Sequence, residues 1–185
     1  MTQLLHIFLM YVVLPVWLAA GVADWWTHRS SRIQETSGSF ESILHIVLIV
    51  QMGIPIISAM FLEINAMFFI LTGVALILHQ ITVYIDLNYA SSRRYISPLE
   101  QMIHGIQEGV PYAAVMLLAI LHWQQFMAIF GINDTLPIYT LTLRDHLPSI
   151  AYSAALLVAG TGVLSLFGEE LIRCYSIKRH KLQLP

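Results

Sequence analysis

The sequence predicts an all-α integral membrane protein: a bundle of five transmembrane helices, N-terminus outside and C-terminus cytoplasmic, forming one domain over residues 1–185. Three observations predict it. The chain is 57% hydrophobic and 11% charged, where soluble domains carry about 25% charged residues. Its apolar residues fall into five runs near the length of a membrane crossing, about 20 helical residues. Eight of the nine Lys and Arg residues lie in alternate connections between those runs, and the positive-inside rule makes that side cytoplasmic.

The first run covers residues 4–22 and contains Pro15. No basic segment precedes it. Ala19-Ala20-Gly21 resembles a signal-peptidase site, but the acid and histidine cluster directly behind it assigns a retained helix. The second run covers residues 43–62 with Pro55, the third 64–85, the fourth about 103–123 with Pro111, and the fifth 148–167. Proline is tolerated in a spanning helix where neighbours satisfy the freed carbonyl, so three such helices imply a packed, kinked bundle. Arg29 and Arg32 follow the first run, Arg93 and Arg94 the third, and Arg173, Lys178, Arg179 and Lys181 the fifth; Arg144 alone lies on the other side.

The connections differ in kind. Glu63 to Asn65 makes a tight outer turn, and residues 130–147 a longer outer loop whose Asp145 to Pro148 stretch reads as a helix start. On the inner side, Thr36-Ser37-Gly38-Ser39 is the clear breaker. The first helix is therefore expected to continue to about Glu35 and the second to start near Phe40. Ser97, Pro98 and Glu100 have the spacing of an N-cap, an N1 proline and a capping-box acid, which places Glu100, His104 and Glu108 on one helix.

Chemistry concentrates in the inner connections. Side chains four apart share a helix face, which pairs Asp24 with His28, Glu41 with His45, and Glu100 with His104 and Glu108. His79 and Asp86, seven apart, share a face as well. Glu35 falls eleven residues after Asp24, about 1100° of helix and so within about 20° of the same face. Four helices thus each offer a histidine and at least one carboxylate at the cytoplasmic half. An ionisable side chain at the bilayer centre costs about 2.5–3.5 kcal/mol on insertion scales, so His45 and His79 demand partners. Carboxylate and imidazole donors without thiolate suit iron or manganese, or two metals, better than structural zinc.

Each member also has an ordinary reading. Glu100 serves as a cap, Asp24 and Glu41 sit near the membrane face, Glu35 pairs with Arg29 or Arg32, and Asp86 with Arg93 or Arg94. Glu108 is a ligand or supports one. Glu169 and Glu170 read as a solvated helix end. His6, His122 and His146 read as interfacial or core histidines, and Tyr84 and Tyr89 as interfacial. The single Cys174 excludes an intrachain disulfide framework and a cysteine metal knuckle. There is no nucleophile elbow, phosphate loop or His-Glu-x-x-His motif, and no basic patch for nucleic acid.

With Asp24/His28, Glu41/His45, His79/Asp86 and Glu100/His104/Glu108, the chain resembles membrane-associated di-iron carboxylate proteins, of which quinol-oxidising alternative oxidases are an example. It departs from them in spacing, Glu-x-x-x-His in place of Glu-x-x-His, and lacks the adjacent histidines of membrane desaturases. The segments ADWWTHR, QETSG, ESILH and SPLEQMIH are also similar, over residues 20–125, to an uncharacterised family of bacterial inner-membrane proteins. The resemblance implies a dinuclear site, di-iron first and manganese or zinc next, that acts on O2 or peroxide with a quinol or other hydrophobic substrate in a bacterial inner membrane. A zinc-dependent lipid hydrolase would use the same residues. A b-type cytochrome with His45, His79 or His104 as axial ligands, and a transporter or accessory subunit, are the remaining readings.

Overall fold

Five long helices carry the chain back and forth in the computed structural model, which describes residues 2–183. They are α1 (Gln3–Ser30), α2 (Ser39–Phe61), α3 (Ala66–Ser91), α4 (Pro98–Leu121) and, after a short α5 (Trp123–Ala128), α6 (Ile150–Gln183). All five are long and apolar enough to cross a membrane. Among the described residues no strand forms, only an isolated bridge between Leu62 and Leu143. α2 packs on α3 and α6, and α1 packs on α4 and α6. The outward faces are apolar: Ile57, Ile77, Leu157 and Val158 are each 60–71% exposed. Such an exterior is what contact with lipid would require. The side chains of Lys178 and Lys181, counted in the charge bias, lie outside the described residues.

The helix termini follow their local chemistry. Ser97 caps α4 as expected, its Oγ accepting from the Glu100 amide at 3.2 Å. Asn65 caps α3 by accepting from the Phe68 amide and donates its own Nδ2 to the Thr140 carbonyl. The loop of residues 130–147 is thereby pinned across the helix ends, with Arg144 and Glu63 amides bonding the Phe61 and Thr142 carbonyls. Two boundaries differ from expectation. α1 stops at Ser30, because Arg32 turns left-handed (φ 53°) and a single 3-10 turn, Ile33–Glu35, follows. Gly38, at φ 71°, then redirects the chain into α2, a conformation glycine adopts without strain. α6 starts at Ile150 rather than at Pro148, with Ser149 Oγ accepting from the Tyr152 amide, and runs far past Phe167.

The prolines build contacts between helices. Pro111 has no amide hydrogen, so the Gln107 carbonyl one turn back is left open. Trp17 of α1 donates its indole Nε1 to that carbonyl at 3.1 Å. Near Pro15, α1 widens into a π turn, Leu9–Val13, in which carbonyls bond five residues ahead, and Met10 would reach Pro15. Tyr152 of α6 donates its hydroxyl to the Met10 carbonyl instead, at 3.1 Å. α1 crosses α6 closely at Gly21, where a Cβ would meet Val163 Cγ1 at 3.2 Å, the use of small residues usual between membrane helices. Trp17→Phe keeps the aromatic bulk and orphans the Gln107 carbonyl. It is expected to lower stability by about 1 kcal/mol, measured by denaturant titration in detergent.

Candidate metal centre

Every long helix sends an ionisable side chain to one buried cluster at the end of the bundle where α1 and α3 finish and α2 and α4 begin. Asp24, His28, Glu41, His45, Asp86, Glu100 and Glu170 are each 0–4% exposed. The i,i+4 pairs of α1 and α2 place Asp24 beside His28 and Glu41 beside His45, as helix geometry requires. The two imidazoles stack face to face, with centroids 4.2 Å apart and planes 10° from parallel. Phe167 of α6 covers both rings at their edges.

Glu170 organises the pair. Its Oε2 lies 3.2 Å from His28 Nδ1 and its Oε1 3.2 Å from His45 Nδ1. An ionised carboxylate only accepts, so both imidazoles carry their hydrogen on Nδ1. In the neutral form that ligates a metal, both Nε2 atoms would present lone pairs, and both face further carboxylates. His28 Nε2 lies 3.3 Å from Asp24 Oδ1 and 3.4 Å from Glu100 Oε1. His45 Nε2 lies 3.3 Å from Asp86 Oδ2 and 3.9 Å from Glu41 Oε1. His104 Nε2 completes the first set at 2.9 Å from Asp24 Oδ1. Among the described residues, Asp24 Oδ1, His28 Nε2, His45 Nε2 and Asp86 Oδ1 have no aligned hydrogen bond.

These donors fit metal ions. Asp24, His28 and His104 form one group that could hold a cation, and Glu41, His45 and Asp86 another. Ligand atoms about 2.1 Å from a shared ion stand about 3.0 Å apart at right angles and about 3.4 Å apart at the tetrahedral angle. The separations of 2.9, 3.3 and 3.4 Å fall in that range, and Glu41 stands slightly wide of it. Glu170, on the far side of both rings, plays the part of the outer carboxylate that fixes a ligating histidine. His28, His45 and Glu170 also form a third cation-sized group, but that arrangement would use the Nδ1 atoms and lose this support.

Charge supports the same fit. The cluster holds five buried carboxylates, Asp24, Glu41, Asp86, Glu100 and Glu170, and one guanidinium, that of Arg94, which pairs with Glu41 and Glu100. Arg94 donates Nε to both oxygens of Glu41, at 3.1 and 3.2 Å, and Nη1 to Glu100 Oε2 at 3.0 Å. Burial opposes its charge, but Glu100 and Glu41 outweigh that and hold it above the usual arginine value. With neutral imidazoles the cluster is left four negative charges in excess, the charge of two divalent cations.

A cavity of about 60 Å³ adjoins the cluster, lined by Asp24, His45, His79, Asp86, His104, Glu108, Trp17 and Phe167. One water needs roughly 10–15 Å³ on this measure, so the space suits water or a diatomic molecule rather than a lipid. His79 and Glu108 reach this cavity without joining either close donor group. His79 lies about 10 Å from Asp86 along the helix by helix rise, and its buried Nδ1 has no hydrogen-bond partner among the described residues.

Glu35 does not reach the centre. The break at Arg32 turns it outward, where it is half exposed and pairs with Arg32 at 3.8 Å. Asp86 pairs with His45 and not with Arg94. Tyr84 is exposed, and Tyr89 donates to the Ser37 carbonyl. The largest departure is Glu170, read as part of a solvated end and in fact fully buried. Its signal was its spacing: Phe167, Glu170 and Cys174 stand at i, i+3 and i+7 and all are buried. Glu169, one residue earlier, faces outward to Arg29, Arg173 and Trp25. Comparison with protein-family models, curated proteins and solved structures returns no match.

Proposed function

We propose that the protein is a membrane-embedded dinuclear metal oxidoreductase, with the metal cluster on the cytoplasmic side of a bacterial inner membrane. The observation that carries this reading is the pair of donor groups around one histidine stack, whose outer nitrogens are both fixed by Glu170. The donors are carboxylate-rich and free of thiolate, the set that suits iron or manganese, and helix bundles with such donors hold di-iron sites. Two iron ions there would supply electron transfer to O2 or peroxide. The chain's own residues set the conditions. Asp24, His28, His104 and Glu100 form one lobe, and Glu41, His45 and Asp86 the other. Arg94 balances the two carboxylates that face it, Phe167 keeps water off the imidazoles, and the small cavity admits the oxidant. The electrons come from a quinol or another hydrophobic reductant entering from the lipid.

The nearest competitor is a zinc-dependent lipid hydrolase, which the same donors would serve. A b-type cytochrome fits less well, because both ring nitrogens of His45 face carboxylates and one of its faces is covered by the stacked His28. Elemental analysis of detergent-purified protein tests the reading. The expected result is about two metal ions per chain, chiefly iron, with a di-ferric charge-transfer absorption, as in helix-bundle di-iron proteins. His28→Ala and His45→Ala should each lose at least one ion, whereas Glu35→Gln should lose none. A chelator should lower the unfolding temperature, since an ion at a hundred times its dissociation constant contributes about 2.7 kcal/mol. A colourless zinc protein moves the assignment to the hydrolase. Iron, manganese and zinc all far below one per chain would refute the dinuclear centre.

A further inference from the structure

A second cavity fills the opposite half of the bundle and takes no part in the centre. It has a volume of about 170 Å³ and is bounded by all five long helices and by Arg144 and Pro148 of the outer loop. Its wall is almost wholly apolar, with Leu14, Met52, Pro55, Phe68, Leu76 and Val115 contributing. The polar groups gather at its outer end, where His6 and Arg144 stand, and Trp17 closes the inner end. From His6 to Trp17 is eleven residues of helix, about 16 Å. That is about half of the ~30 Å hydrocarbon core, the depth spanned by one acyl chain of one leaflet.

The outer end has a defined charge. Arg144 donates Nη1 to the Ala59 carbonyl at 3.2 Å and has no carboxylate at ion-pair distance among the described residues. His122, whose ring stands 6.5 Å from that of His6, is held below the usual imidazole value, first by burial and then by its neighbours His6 and Arg144, with Glu63 acting the other way. A cationic head would be repelled by Arg144, and a neutral one would form no ion pair with it. An anionic head with acceptor oxygens would pair with it by charge-assisted bonds.

We propose that this cavity binds one long-chain carboxylic acid, its head at Arg144 and its chain running inward to Trp17. The dimensions admit a single chain, and the one-sided placement of charge sets its direction. Trp17 also lines the small cavity beside His45 and His104, so the far end of the bound chain lies one indole away from the cluster. That the acid is thereby presented as a substrate rests on the metal reading above. Binding itself does not, and it is measured without metal.

The test is equilibrium binding of radiolabelled hexadecanoic acid to the delipidated, chelator-treated protein in a non-ionic detergent, with hexadecan-1-ol, octanoic acid and a long-chain quinone as competitors. The expected result is saturable binding of one acid per chain, with the other three competing at least about tenfold more weakly, the measure of about 1.4 kcal/mol. Arg144→Gln should weaken the acid by about tenfold or more and leave the alcohol unchanged. Ala114→Phe, which fills the cavity, should abolish both, with circular dichroism and unfolding temperature reporting that the bundle remains. Neither variant should change metal content, which separates this site from the inner one. Absent saturable binding, equal affinity for acid and alcohol, tighter binding of the quinone, or an unaltered Arg144→Gln variant would each overturn the proposal.

Discussion

Glu170→Gln is expected to weaken metal affinity by about 10–100-fold, the usual cost of removing a carboxylate that supports ligating histidines. The wild-type carboxylate accepts Nδ1–H from His28 and His45 at 3.2 Å each. A glutamine has one oxygen and one NH2 group, so it can accept from one imidazole only and must donate toward the other. The second ring then turns its lone pair toward Glu170's position and its hydrogen toward the carboxylates, and one lobe loses its nitrogen ligand. The neighbouring Glu169→Gln provides the control, because Glu169 faces Arg29, Arg173 and Trp25 on the other side of the helix and should leave affinity unchanged. Competition against a chelator of known affinity measures both. Equal affinities in the two variants would remove the positioning role given to Glu170.

Arg94→Gln is expected to destabilise the protein by about 3–5 kcal/mol, the range for breaking a buried ion pair from one side. The Arg94 side chain is 3% exposed and joins Glu41 of α2 to Glu100 of α4. Without it, two buried carboxylates from different helices face each other with no cation between them. The effect should be largest in metal-stripped protein, where nothing else offsets the negative charge. Arg94→Lys should recover only part of the loss, because a lysine is a single point charge and cannot reproduce the forked contact to both acids. Denaturant titration with and without chelator measures this, and a loss below about 1 kcal/mol would place Arg94 among ordinary surface pairs.

The five long apolar helices and the joint level of Asp24, His28, Glu41, His45, Asp86, Glu100 and His104 were legible in the sequence for simple reasons. A bilayer crossing demands an apolar run of known length, and residues four apart share a face. Glu35 was misplaced because the facing argument assumes an unbroken helix, and one left-handed residue, Arg32, ends it. Glu170 was hidden for a related reason. The apolar run of the last helix fades after Phe167, so Glu169 and Glu170 look like a wet terminus. The helix in fact continues and lies against α1, α2 and the 3-10 turn. Arg94 was read as a marker of orientation and a partner for Asp86, since nothing local to residues 91–97 announces Glu41 and Glu100, 53 and 6 positions away. What stayed illegible was set by contacts between distant segments.

The position of Glu170 also gives the centre a place in time. His28 and His45 are made early, and the carboxylate that fixes their hydrogens follows 142 and 125 residues later. At about 5–20 residues per second, a nascent chain would hold the two histidines and four acids for several seconds before their last partner emerges. Until α6 joins the others, both imidazoles can exchange tautomers and neither lobe is set for a particular ion. Any metal loading would then belong after synthesis of the final helix, and a ribosome stalled before residue 170 would leave a nascent chain without the assembled cluster.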